Sequence, residues 1–247
     1  MRSRSLAALL AVLLLGAQSP TPAPGGERFY KVSGHDTVRL GAAGRQQRVD
    51  YSGIEHVAIA DGDNGARYSS HVSYVRGDAS DVAHRTASFV SEITADGSEH
   101  DIAGSDPDEM TVLHQPFTIA LDRATRLGIA AMRGSIPFDF TAPVGTTTVD
   151  GKLQRVASAP GTLAVAFDAS GPFSGQVSDR PGETITGRLH MRGSALYLAA
   201  DGSLISLQVR VEIDGSVDGG AKSAPIAIVH QRAFEAESAD QERAAQR

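Results

Sequence analysis

Apolar and polar residues alternate with a period of two along much of this chain, and this pattern constrains the fold more than any other feature. From Ile205 to Ile213 every second residue is apolar, including Leu207 and Val209. From Ile185 to Met191 the same alternation holds, with Leu189 on the apolar side. Such alternation is typical of β-strands that have one buried face and one exposed face. The sequence therefore predicts a protein built mainly from amphipathic strands.

The dipeptide Asp-Gly occurs repeatedly and indicates how these strands are connected. Its six copies begin at Asp61, Asp96, Asp150, Asp201, Asp214 and Asp218. Between alternating segments, Asp-Gly favours a tight hairpin turn because both residues tolerate a positive φ. The repeated turns predict a meander, in which consecutive strands are antiparallel neighbours.

Further segments with the same alternation predict strands at 29–40, 49–60, 67–76, 86–95, from 100 to 104 or beyond, 147–157, 163–170 and 225–234. The total is roughly ten strands. A short helix is predicted near 122–133, where apolar residues recur at helical spacing between Asp122 as N-cap and Gly134 as terminator. The following segment contains Pro137, which predicts an edge strand or a connection.

The predicted fold class is mainly β, with a single antiparallel meander that forms a strongly curved sheet or an open barrel. A β-sandwich is the alternative. So many amphipathic strands can bury their apolar sides only in a closed barrel, against a second sheet, or within a sheet curved around a helix. Bacterial periplasmic lipoprotein carriers have a curved sheet of this kind, but this is a likeness of architecture and no motif accompanies it.

Residues 1–25 are predicted to form a secretory signal peptide. Arg2 and Arg4 precede an apolar run over residues 6–16, which is too short to span a bilayer as a helix. The predicted cleavage lies before Gly26, and the product is expected in a periplasm or outside the cell. An uncleaved anchor helix is the alternative.

Residues 26–234 are predicted to form one antiparallel β domain. Two related halves, at about 28–113 and 117–234, are an open alternative, because Ala-Asp-Gly-Ser occurs at both 95–98 and 200–203. Residues 235–247 are a charged tail without an apolar stripe, predicted to be disordered or a frayed helix.

Charge and composition argue against several classes of partner. The chain has no cysteine, so disulfides cannot stabilise an exported form. Removal of residues 1–25 would leave 21 basic residues against 29 acidic ones, and this acidic balance disfavours nucleic-acid binding. No other apolar segment approaches spanning length, so no transmembrane segment is expected after cleavage.

Candidate metal sites in the sequence are incomplete. Asp61–Gly65 resembles the start of a calcium loop, but it lacks the glycine and the glutamate that such a loop needs later, so a hairpin turn is expected. Ser105–Glu109 holds three carboxylates and fits either a metal site or a solvated turn. His56 and His71 could face each other across a hairpin, but two nitrogens make an incomplete zinc site. We therefore expect no metal and no cofactor.

Catalytic signatures are lacking in the sequence as well. There is no Gly-x-Ser-x-Gly elbow, no cysteine nucleophile and no glycine-rich phosphate loop. The chain has no tryptophan, which disfavours carbohydrate binding through aromatic platforms. The sequence leans towards a protein that is not an enzyme, and catalytic residues dispersed along the chain are the remaining possibility.

The leading functional hypothesis is an exported, non-catalytic binding or carrier protein of the bacterial cell envelope. It would hold a lipid or another apolar or amphipathic ligand in the concave face of the sheet. The candidate lining residues are Phe138, Phe140, Leu189, Met191, Leu207 and Val209, which could equally be ordinary core residues. The alternatives are an interaction module that pairs through a sheet edge and a hydrolase with dispersed residues.

Overall fold

In the computed structural model the described residues are 26–42, 44–61, 65–77, 81–94, 99–105, 108, 121, 123–141, 148–176, 182–219 and 223–237. The predicted signal peptide and residues 238–247 of the predicted tail lie outside this set, so both remain predictions. Two residues of that tail, Glu235 and Ala236, belong to the last strand.

Eleven strands and one helix make up the described chain. In order they are β1 (Gly26–Leu40), β2 (Gln46–Asp61), β3 (Gly65–Gly77), β4 (Val82–Thr94), β5 (Glu99–Ser105), α1 (Arg123–Ala131), β6 (Ser135–Thr141), β7 (Thr148–Val156), β8 (Thr162–Gln176), β9 (Thr184–Leu198), β10 (Leu204–Asp218) and β11 (Ser223–Ala236). The helix predicted near 122–133 is confirmed as α1. The predicted strands are present, and most of them extend beyond their predicted ends.

All eleven strands belong to one antiparallel sheet with the order β5-β4-β3-β2-β1-β11-β10-β9-β8-β7-β6. The first and last strands pair in the middle of the sheet, from Tyr30 opposite Ala236 to Leu40 opposite Ile226. Every other pairing joins strands that are consecutive in sequence, which confirms the predicted meander. The sheet is open, and β6 lies at one edge, as its proline predicts.

One face of this sheet, called here the inner face, carries the core. Its buried side chains come from both halves of the sheet and form one hydrophobic cluster. Val32, Val57, Leu189 and Leu207 in this cluster are each 0 % exposed. A flat single sheet would leave such side chains in contact with water, so the sheet curves around its own inner face. The opposite side, called here the outer face, carries most of the polar residues of the strands.

Two of the six predicted Asp-Gly turns are wrong, because Gly151 lies within β7 and Gly215 lies within β10. At both positions the neighbouring strand comes too close for a side chain. A Cβ at Gly215 would lie 2.1 Å from the carbonyl oxygen of Thr186, and one at Gly151 would lie 2.5 Å from the Cβ of Ala169. These glycines permit close strand contact in a coiled sheet rather than a change of direction.

The turn at Asp201-Gly202 is confirmed, and it also anchors the helix. Gly202 has a φ of +79° and lies between β9 and β10. Its carbonyl oxygen accepts a hydrogen bond of 2.8 Å from the backbone N–H of Leu121, just before α1. Arg126 of α1 donates to the carbonyl oxygen of Ala199 at 2.8 Å. With Ile129 buried in the core, these bonds fix α1 against the end of β9 and β10.

Candidate functional site

A group of charged and phenolic side chains lies on the inner face where a core would normally be apolar. We call this group the Asp36 cluster, and its members are Asp36, Tyr51, Tyr74, Asp108, His230 and Arg232. Strand register brings them together: Asp36 of β1 is opposite His230 of β11, and Arg232 is opposite Gly34. A Cβ at Gly34 would lie 3.0 Å from the Cδ of Arg232, so the glycine leaves room for the arginine stem.

The carboxylate of Asp36 is the centre of the cluster. Its Oδ1 accepts hydrogen bonds from Arg232 at 2.7 Å, and it lies 3.0 Å from Nδ1 of His230. Its Oδ2 accepts from the hydroxyl of Tyr51 at 2.8 Å and from Arg232 at 3.3 Å. Burial by itself would raise the pKa of Asp36, but the bonds from His230 and Arg232 hold that pKa well below the ordinary aspartate value. The carboxylate is therefore charged when the protein is folded.

Arg232 is the most deeply buried charged residue of the cluster, with a side chain that is 0 % exposed. Besides Asp36, it donates to the carbonyl oxygens of Gln231 at 3.0 Å and Asp108 at 3.0 Å. Its guanidinium carbon lies 4.3 Å from the ring centroid of Tyr51, which is a cation–π contact. A buried guanidinium is tolerated only with partners of this kind.

Asp108 connects the cluster to the segment between β5 and α1. Its Oδ2 accepts a 2.6 Å hydrogen bond from Tyr74, and its Oδ1 lies 3.2 Å from Nε of Arg76. Arg85 approaches the same carboxylate at 3.9 Å. Asp108 belongs to the acidic motif Ser105–Glu109, for which a metal site or a solvated turn was predicted. Its observed partners are two arginines and a tyrosine of the strands, so these contacts hold Asp108 itself against the inner face.

A carboxylate–histidine contact such as Asp36–His230 is also found in hydrolases. Here all four contacts of Asp36 stay within the strands β1, β2 and β11, and the arginine neutralises the carboxylate. His230 and Asp36 have side chains only 14 % exposed. The geometry favours a structural role, because the cluster fixes side chains on the inner face of the sheet.

Four of the predicted lining residues lie together on the inner face, but in its closed core. The side chains of Leu189, Met191, Leu207 and Val209 are between 0 and 2 % exposed and belong to the hydrophobic cluster. They come from β9 and β10 and are in contact with the chain's own side chains. The site proposed below therefore does not include them.

The other two predicted lining residues, Phe138 and Phe140, belong to the edge strand β6. Their backbones pair with Gly151 and Val149 of β7. Their side chains lie outside the part of the chain that the structure describes.

A groove opens on the opposite side of the sheet, on the outer face of β1 to β4. We call it the outer groove; its volume is about 630 Å³. It is lined by Phe29, Ser52, Gly53, Ile54, Ser73, Tyr74, Val75, His84, Arg85 and Thr86. Its volume falls within the range of small-molecule sites, roughly 300–1,000 Å³.

A diagonal row of four apolar side chains, which we call the outer stripe, passes through the outer groove, and all of its members except Val82 line the groove. It consists of Phe29 on β1, Ile54 on β2, Val75 on β3 and Val82 on β4. The register places Ile54 opposite Ser73, Val75 opposite His84 and Val82 opposite Gly77, so the stripe advances by two residues with each strand. Val82 is 66 % exposed, and the other three are partly exposed. Sequence reasoning missed this row because its members belong to the polar side of four different strands.

The two histidines predicted to face each other are indeed opposite one another, since His56 and His71 are register partners. The ring of His56 stacks on Phe29 with 4.6 Å between centroids, and its Nε2 lies 3.7 Å from a carboxylate oxygen of Glu27. Among the described residues no group of three or more potential ligands could hold a metal ion. Of the predicted calcium-like motif, residues 62–64 lie outside the described set.

The fold and the groove define this chain as an open antiparallel β-sheet protein with a filled inner face and an amphipathic groove on its outer face. The chain matches no protein-family model, no curated protein and no solved structure. In the part of the chain that the structure describes, no helix combines the length and the apolar character needed to cross a membrane.

Proposed function

We propose that this protein is an exported, non-catalytic binding protein of the bacterial cell envelope that holds one amphipathic, lipid-like molecule in the outer groove. The observation that supports the proposal is the outer stripe, because three of its four apolar residues, Phe29, Ile54 and Val75, are partly exposed and line a groove of about 630 Å³. Export is supported by the predicted signal peptide at residues 1–25. The proposal keeps the ligand class expected from the sequence and moves the site to the outer face.

The chemistry of the groove supports an amphipathic ligand over a purely apolar one. Ser52, Ser73 and Thr86 line the groove beside the apolar row. Hydroxyl groups can bind a polar head, while Ile54 and Val75 exclude water from an alkyl chain. From β1 to β4 the groove crosses about 14 Å of sheet, at roughly 4.8 Å for each strand. Because the stripe is diagonal, its length exceeds this width.

A second candidate is pairing with another chain through a sheet edge, which the open sheet makes geometrically available. The edge strands argue against it. Each has only seven residues; β5 carries Glu99 and Asp101, and β6 carries Pro137. Short strands, charges and proline are features with which natural proteins prevent edge-to-edge association. Ligand binding in the outer groove is therefore the better supported function.

The proposal can be tested with a fluorescent lipid probe titrated into the purified protein, together with mass spectrometry of any lipid that copurifies. We expect saturable binding at one site, weakened at least tenfold by Ile54→Glu, which places a charge in the outer stripe. Val229→Glu is the matched control, because Val229 is a partly exposed valine of β11 outside the groove. Absence of saturable probe binding and of copurified lipid would overturn the proposal, and concentration-dependent assembly without ligand would support the edge-pairing alternative.

A further inference from the structure

The side chains that line the outer groove carry almost no charge. Among the described lining residues, Arg85 alone has a permanent charge, and one nitrogen of its guanidinium lies 3.9 Å from the carboxylate of Asp108. Asp108 belongs to the inner face, so this charge is held on the opposite side of the sheet from the groove. No acidic residue is found among the described lining residues. The groove therefore presents an uncharged surface to a ligand.

The basic residues that flank the groove at its β1 end have acidic neighbours. Lys31 of β1 is directly opposite Glu235 of β11, and both side chains are exposed on the outer face. Nε2 of His56 lies 3.7 Å from a carboxylate oxygen of Glu27. Glu237, directly after β11, is a further acidic residue beside this end of the groove. An anionic head group would therefore find no uncompensated positive charge here.

Two hydroxyl side chains of the lining are neighbours on the sheet, and we call them the hydroxyl pair. Ser73 of β3 and Thr86 of β4 are register partners, and both are exposed. In an antiparallel pair the Cβ atoms of directly opposite residues are about 4.5–5.5 Å apart, so one ligand group can contact both hydroxyls. Ser73 is also the register partner of Ile54, so the hydroxyl pair adjoins the outer stripe. Each hydroxyl can donate and accept hydrogen bonds without carrying a charge.

We infer that the ligand of the outer groove is an uncharged amphipath, a single alkyl chain that ends in a hydroxylated head of the monoacylglycerol type. This inference rests on the proposed function and specifies its ligand class. The head binds to the hydroxyl pair, and the alkyl chain covers Ile54 and Phe29 towards β1. A charged head would lose part of its hydration in the groove without gaining an ion pair with a lining residue.

The test uses competition against bound Nile red, an uncharged fluorescent probe, at about pH 8, where histidine side chains are ordinarily neutral. The competitors have chains of equal length and differ in the head group: monodecanoylglycerol, decanol, decyl sulfate and decyltrimethylammonium. We expect monodecanoylglycerol to displace the probe at about three- to tenfold lower concentration than either charged compound, the range of a neutral hydrogen bond. Decanol, with a single hydroxyl, should lie between them. Glycerol should not displace the probe, because it has no chain to cover the stripe.

Variants connect this preference to the hydroxyl pair. Ser73→Ala/Thr86→Val removes both hydroxyls with little change of shape, and it should raise the displacing concentration of monodecanoylglycerol to that of decanol. Ser88→Ala/Thr37→Val is the matched control, because it removes the same two groups from outer-face positions on β4 and β1 that do not line the groove. This control should preserve the preference for monodecanoylglycerol.

Two results would overturn the inference while leaving the groove as a binding site. One is competition by decyl sulfate or decyltrimethylammonium that equals or exceeds that of monodecanoylglycerol. The other is a preference for monodecanoylglycerol over decanol that survives loss of the hydroxyl pair. Failure of Nile red and of every compound to bind would instead overturn the proposed function.

Discussion

The two halves of the inner face are built from similar strands but are filled with different chemistry. On β8, β9 and β10 the buried positions are apolar, as at Phe167, Leu189 and Val211. On β1, β2 and β11 the equivalent positions hold Asp36, Tyr51, His230 and Arg232 beside apolar neighbours. One half is therefore stabilised mainly by the non-directional burial of apolar area, and the other also depends on directional bonds.

The difference shows what each kind of interaction can do. Burial of a leucine or phenylalanine stabilises a fold by about 1.5–3 kcal/mol, whatever its precise neighbours are. A buried ion pair gives little net stability, because desolvation offsets most of the attraction. The pair nevertheless destabilises every alternative arrangement of the strands in which one of the two charges is buried without the other. We therefore regard the Asp36 cluster as a device that fixes the register of β1 and β11 and the position of Asp108, a hypothesis that the following substitutions test.

The largest effect is expected from removal of the buried cation. Arg232→Met leaves the carboxylate of Asp36 in the core with only His230 and Tyr51 as partners. Loss of one partner of a buried pair typically costs about 3–5 kcal/mol. We expect a decrease of this size in the free energy of unfolding, measured by chemical denaturation at pH 7.

Two further variants sharpen this prediction. The double variant Asp36→Leu/Arg232→Met should recover most of the lost stability, because no unpaired charge remains. Arg48→Ala removes an arginine–carboxylate pair from the exposed outer face and should leave the free energy of unfolding almost unchanged, because water and salt screen an exposed pair. If Arg232→Met were as mild as Arg48→Ala, the cluster would not be a tightly coupled buried network.

A smaller but substantial decrease in the free energy of unfolding is expected from a substitution in the apolar half of the inner face. Leu189→Ala removes a side chain that is 0 % exposed and leaves a cavity, which typically costs about 2–5 kcal/mol. This loss should be insensitive to pH, since no titratable group is involved. Denaturation curves at pH 7 and pH 4.5 should give the same difference between variant and wild type. A difference that varied with pH would contradict the separation of the two halves.

The smallest of the effects expected within the two halves, and the most diagnostic one, is the change of stability at acidic pH when Asp36 is replaced. In Asp36→Asn the amide oxygen can still accept a hydrogen bond from Arg232, so the decrease in the free energy of unfolding should be smaller than in Arg232→Met, about 1.5–3 kcal/mol at neutral pH, the size of a hydrogen bond to a charged group. The folded pKa of Asp36 is lowered, so the unfolded state binds more protons in acid and the stabilisation is present above the unfolded value. The difference in the free energy of unfolding between the wild type and Asp36→Asn should therefore be constant above about pH 5 and decrease as the pH falls below about 4. A constant advantage across this range would contradict the role of the charged carboxylate.

The sequence predicted the elements of the fold well, since period-two alternation and a single helical segment are local properties. It misread Asp150-Gly151 and Asp214-Gly215, because the same dipeptide serves a turn and a point of close strand contact. The Asp36 cluster could have been predicted in part from the positions of its charged residues within the strands. Asp36 occupies the same side of β1 as Val32, and Arg232 the same side of β11 as Phe234. A charged residue in the apolar phase of a strand is a candidate for a buried network.

What the sequence determined by itself was the strand content, the side of each strand that is buried, and the meander implied by its turns. These features depend on residues close together along the chain. Only the tertiary structure decided that Asp36 meets Arg232, 196 positions away, and that four separate apolar residues align in the outer stripe. The physical reason is that register between strands, and the curvature of the whole sheet, set which side chains share a face. A one-residue shift in register would place them on different faces.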